Sequence, residues 1–84
     1  MEIKYSLKAL EDIEYWKKSG NLSIMNKITR LMEEIAAHPF TGSGKPEPLK
    51  YELSGKWSRR INYEHRIIYS VNEDTIEIHV FSMR

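Results

Sequence analysis

The sequence predicts an α+β domain in which an N-terminal strand and two antiparallel helices pack on one face of a mainly antiparallel sheet. Three observations carry that prediction. Apolar residues recur every three or four positions up to His38, they alternate at every second position after Leu49, and Gly and Pro cluster between the two regimes. Helices grouped ahead of strands imply that both cover the same side of the sheet. No repeat, linker or low-complexity tract divides residues 1–84, so a single domain is expected.

Ile3 and Tyr5 alternate with charged neighbours and read as a first strand. Ser6 is suited to cap a helix whose apolar positions are Leu7, Leu10, Ile13 and Trp16. Gly20 suits the left-handed residue that ends this helix, and Asn21 or Ser23 can cap the next. Ile24, Ile28, Leu31 and Ile35 keep helical spacing, with Met25 and Met32 widening the stripe. The second helix stops at His38, because the ring of Pro39 disfavours a helical conformation in the residue before it. Residues 40–48 contain Gly42, Gly44, Pro46 and Pro48 and read as a loop. Period-two segments follow at Leu49 to Leu53, Lys56 to Asn62, His65 to Val71 and Thr75 to Phe81, joined by turns.

Composition narrows the function classes. The balance of 40% hydrophobic and 30% charged residues is that of a folded chain, and 84 residues allow only a thin core. The absence of cysteine removes disulfides, thiolate nucleophiles and cysteine-containing zinc sites, and fits a cytoplasmic location. No apolar run approaches the roughly 20 residues that span a bilayer, so no membrane association is expected. His38, His65 and His79 never fall at i and i+4 on one helix; neither a metal nor a cofactor is expected.

Charge is concentrated in one segment. Lys45, Lys50, Lys56, Arg59, Arg60 and Arg66 stand against Glu47, Glu52 and Glu64, an excess of positive charge in a molecule of net charge +1, which points to an anion site. Strand parity puts Trp57 and Ile61, and Ile67, Tyr69 and Val71, towards the helices. Arg60 and Arg66 then project from the uncovered face. Arg59 has core-side parity beside Trp57 and is expected to emerge at an edge with its stem on apolar surface. Such a patch suits a phosphate ester, and phosphoryl transfer without a metal needs a base for the attacking hydroxyl, cations for the charged transition state and an acid for the departing oxygen. Glu47, stiffened between Pro46 and Pro48, can be the base, and Arg60 and Arg66 can grip phosphate oxygens in a bidentate way. Each residue also has a structural reading: Glu47 as a solvated loop carboxylate, the arginines as cross-strand partners of Glu52, Glu64 and Glu77.

The order of these residues resembles a known family. The segments GSGKPEPLK from Gly42, LSGKWSRRIN from Leu53 and EHRIIY from Glu64, with Tyr15-Trp16 in the first helix, are similar to the YoeB/Txe toxins of the RelE/ParE superfamily. The resemblance runs over essentially the whole chain. It implies a RelE-like fold and a toxin of a type II toxin-antitoxin system, an endoribonuclease that enters the ribosomal A site and cuts messenger RNA. By residue matching, Glu47 is the general base and Arg66 the transition-state arginine, with Lys45, Lys50 and Arg60 as supporting positive charge; Arg59, from the same basic segment, is counted with them as RNA-binding. The implied partners are a Phd/YefM-type antitoxin, the ribosome with its mRNA, and a second copy of the chain in a homodimer.

The family's acid is a histidine in a terminal Arg-x-His-Tyr motif, whereas this sequence reads FSMR up to Arg84. The sequence as written is therefore expected to fold, to bind antitoxin and to cut weakly. His79, by sharing parity with Glu77 and Phe81, and His65, at the start of its strand, are the candidate substitute acids. Two other readings stay open at this point: a ParE-type toxin that poisons gyrase by binding, and a truncated toxin that only binds antitoxin.

Overall fold

The computed structural model describes residues 2–81. Its elements are β1 (Glu2–Tyr5), α1 (Leu7–Ser19), α2 (Leu22–Ala37), β2 (Glu47–Pro48), a 3-10 turn (Tyr51–Leu53), β3 (Lys56–Arg60), β4 (Arg66–Asn72) and β5 (Thr75–Val80). The sheet order is β1-β5-β4-β3-β2; β1 runs parallel to β5 and the other neighbours are antiparallel. Both helices lie on one face, as the two periodicities predict.

The helix ends follow the sequence signals. Ser6 Oγ accepts the Ala9 N–H at 3.0 Å and donates to the His79 carbonyl at 2.7 Å, so the cap of α1 also fastens the helix to β5. Gly20 closes α1 at φ 71°, a left-handed conformation that glycine adopts without steric conflict, and Asn21 caps α2. The buried stripe of α1 differs from the predicted one. Leu7 and Leu10 stay exposed, while Ala9, Asp12 and Trp16 are buried. Asp12 decides the rotation: its Oδ2 accepts the Phe81 N–H at 3.0 Å, which turns that side of the helix onto the end of β5. In α2 the predicted residues Ile24, Ile28, Leu31 and Ile35 meet Ile67, Tyr69, Ile76 and Ile78 in the core.

Three strand assignments change. The strand expected at Leu49 to Leu53 is a 3-10 turn, because Tyr51 is left-handed at φ 59°; pairing occurs upstream, at Glu47–Pro48. A proline is tolerated there because β2 is the sheet edge. Second, β3 ends at Arg60 rather than Asn62, whose Oδ1 accepts the N–H groups of Glu64 and His65 and forms the turn. Third, a bulge lies between β4 and β5: Ile68 pairs with Val80 and Tyr69 with Ile78, leaving His79 as the extra residue. Phe81 therefore does not share the face of His79. It is buried and stacks on Tyr5. Among the described residues no helix is long and apolar enough to cross a membrane.

Candidate active site

The short β2 strand creates the site. Glu47 pairs with Ser58, Ser58 with Ile68, and Arg60 with Arg66, which sets these residues on the face away from the helices. Glu47 Oε2 lies 3.5 Å from Arg66 Nη1, and the same nitrogen is 3.4 Å from Ser58 Oγ, to which it donates. The Glu47 side chain is 61% exposed and that of Arg66 35%, so the pair stands open to solvent and to any polyanion laid over the sheet. Arg60 is exposed opposite Arg66, and Lys45 and Lys50 are exposed on either side of Glu47 in the chain. Ser58 carried no sequence signal, being one small polar residue in an alternating strand. Buried beneath the arginine, it fixes one end of the guanidinium.

The backbone leading to Glu47 is tightly held. Gly44 is left-handed at φ 80°, and its carbonyl accepts the Arg60 N–H at 2.7 Å. A Cβ here would sit 3.0 Å from the Arg60 carbonyl oxygen and 3.2 Å from Leu31 Cδ2, so only glycine fits against β3. On the far side of Glu47, the Leu49 N–H donates to the Lys56 carbonyl at 2.9 Å.

Arg59 does not emerge at an edge, which corrects its expected place among the RNA contacts. It is fully buried on the helix side. Its Nε donates to Tyr69 Oη at 3.1 Å, Nη2 to the carbonyls of His38 and Thr41, and Nη1 to that of Ser43 at 3.4 Å. Its strand parity matches the prediction; what parity could not reveal is that the loop after α2 folds its carbonyls over the guanidinium. Tyr69 joins this network by donating to the Pro39 carbonyl at 2.6 Å. Burial pushes the Tyr69 hydroxyl above its usual pKa, with Arg59 opposing, so it keeps the proton it donates.

Neither substitute histidine stands at the Glu47–Arg66 pair. The His65 ring packs edge-on against Trp16 at 4.9 Å, towards α1, while its backbone carbonyl accepts from Ile61 and Asn62 and holds the turn. His79 reaches the open face as expected, but its Nε2 is 3.0 Å from Ser70 Oγ. Ser70 lies four residues along β4 from Arg66, about 13 Å at strand rise. Burial, then the nearby Lys56, holds the His79 pKa below that of a free imidazole, with Glu77 opposing, so the ring is neutral at pH 7. A neutral imidazole at that distance is a poor acid for a phosphate held by Arg66. Among the described residues no group of three or more His, Cys, Asp or Glu could hold a metal ion. Residues 82–84, the end of the FSMR segment, lie outside the described residues.

A carboxylate and a guanidinium on an uncovered sheet face can serve phosphoryl chemistry, but geometry alone names no family. The profile of the YoeB-like toxin of bacterial type II toxin-antitoxin systems matches residues 5–84. The chain belongs to the YoeB toxin family. The YoeB toxin of Escherichia coli K12 is 44% identical over 78 residues, 93% of this chain and 92% of that one. In structure the chain is similar to a YoeB/ParE toxin from Agrobacterium tumefaciens, with TM-score 0.93, 35% identity and coverage of 100% and 99%. Staphylococcus aureus YoeB, solved in a heterotetrameric complex with YefM, superposes with TM-score 0.90 at 36% identity, covering 100% and 97%. A YoeB from S. aureus has also been solved as a dimer. Within the YoeB fold, the Glu47–Arg66 pair and its loop thus belong to a toxin of a type II toxin-antitoxin system.

Proposed function

We propose that this YoeB-family toxin is a ribosome-dependent endoribonuclease of the cytoplasm that cuts messenger RNA in the ribosomal A site, the RNA's own 2′-hydroxyl being the nucleophile. The observation that carries the reading is the approach of Glu47 Oε2 to Arg66 Nη1, at 3.5 Å on the uncovered face. Glu47 takes the proton of the 2′-hydroxyl, the 2′-oxygen attacks phosphorus, and the bond from phosphorus to the 5′-oxygen breaks. The products are a 2′,3′-cyclic phosphate and a 5′-hydroxyl. Arg66, with Arg60 beside it, offsets the charge that builds on the phosphate oxygens, and Lys45 and Lys50 draw the strand to the face. The departing 5′-oxygen takes its proton from water, because neither His65 nor His79 stands at the pair to supply it. A gyrase-poisoning role would leave the Glu47–Arg66 pair without a task.

The ribosome enters through what the site lacks. An open face on a protein of net charge +1 has little electrostatic hold on free RNA, so the substrate has to be positioned by something else. We expect cuts in mRNA on programmed ribosomes and negligible cutting of the same RNA alone at low micromolar protein, read by primer extension. A Phd/YefM-type antitoxin, folding with its acidic residues over Arg60 and Arg66, should abolish the cutting when added in stoichiometric amount. Efficient, salt-tolerant cleavage of protein-free RNA would contradict the reading.

A further inference from the structure

We infer that Glu34, on α2 and on the opposite side of the sheet from the RNA face, is a positioning residue for Glu47; this rests on the ribonuclease reading. The Glu34 carboxylate Oε1 accepts the Ser43 N–H at 3.0 Å. Ser43 is also held through its carbonyl by Arg59, and the next residue, Gly44, through its carbonyl by the Arg60 N–H. Three fastenings thus converge on two residues just upstream of Glu47. A Cβ on Gly42 would lie 2.8 Å from Glu34 Oε1 and 3.1 Å from Arg59 Nη1. The two head groups therefore flank Gly42 within about 6 Å of each other, close enough for each to favour the charged form of the other. Glu34 is accordingly the anion that faces the buried Arg59 guanidinium, whose direct acceptors are all neutral. Its pKa lies below the usual glutamate value, first because of the Ser43 N–H bond, with Arg59 and Lys27 adding to it.

From Gly44 the chain has only Lys45, left-handed at φ 51°, and Pro46 before Glu47, so a shift at Ser43 has little slack in which to dissipate. Moving the Glu47 carboxylate by an ångström would separate it from Arg66, and a misplacement of that size lowers a reaction rate by on the order of 10- to 100-fold. Nothing in the sequence marks Glu34: it is the second of two adjacent glutamates on a solvated-looking helix face.

The test compares the full chain with Glu34→Ala and Glu34→Gln. Amide hydrogen exchange is measured on the isolated protein, and single-turnover cleavage on mRNA-programmed ribosomes. Glu34→Ala should speed exchange at Ser43 and Arg60 while leaving Ile28 and Tyr69 protected, and should cut the maximal rate about tenfold or more with half-saturation unchanged. Glu34→Gln, whose amide oxygen still accepts from Ser43, should recover most of both. Unchanged exchange at Ser43 and Arg60 in Glu34→Ala would overturn the inference, as would a rate loss that Gln does not relieve. If the wild-type chain cuts nothing yet Glu34→Ala frees Ser43 and Arg60 selectively, the clamp stands and the ribonuclease reading falls.

Discussion

Replacing Arg59 with Leu is expected to destabilise the protein by about 3–5 kcal/mol, the range for breaking a buried charged network. The substitution removes a guanidinium that serves the carbonyls of His38, Thr41 and Ser43 and the hydroxyl of Tyr69. The fully buried Tyr69 hydroxyl loses that donor and the loop carbonyls lose the group that gathers them, and a buried group left unsatisfied costs about 1–3 kcal/mol. For a domain this small the melting temperature should fall by at least about 12 °C, measured by circular dichroism. Arg59→Lys should rescue little, since one ammonium on a flexible stem cannot reproduce a planar fork aimed at several oxygens. A variant that melts within a few degrees of wild type would show that the loop does not depend on this residue.

Glu47→Gln should lower the rate of ribosomal mRNA cleavage by roughly 100- to 10,000-fold, the contribution expected of a positioned proton acceptor. The amide keeps the shape of the side chain, so the change falls on chemistry. Glu47 is exposed and its ion pair with Arg66 is solvent-screened, so melting temperature should hardly move. Single-turnover kinetics with toxin in excess over mRNA-programmed ribosomes separates the two effects. Cleavage within a few-fold of wild type would remove Glu47 from the role of base.

Much of the fold was legible because its signals are local. Ser6, Gly20, Asn21 and Pro39 mark helix ends by their own backbone chemistry, and the 3.6-to-2 change of period locates the switch from helices to sheet. What sequence could not supply depended on distant partners. The burial of Asp12 requires the Phe81 N–H, and the bulge at His79 flips Phe81 to the core, a one-residue slip that parity arguments cannot see. At the site, parity placed Arg60 and Arg66 on the open face. It also gave Arg59 the right side and the wrong exposure, because the loop that covers it is irregular. Ser58 and Glu34 had no sequence signature at all; their tasks appear only once the β2–β3 register and the loop after α2 are known.

The most direct test of the central claim replaces the ribose on the 5′ side of the cut with 2′-deoxyribose in an mRNA bound to programmed ribosomes. If Glu47 activates the 2′-hydroxyl, the all-ribose message should yield fragments ending in a 2′,3′-cyclic phosphate and beginning with a 5′-hydroxyl. The deoxy message should stay intact at that position. Cleavage of the deoxy message at a comparable rate, leaving 5′-phosphate ends, would contradict the account, because water rather than the neighbouring hydroxyl would then be the nucleophile.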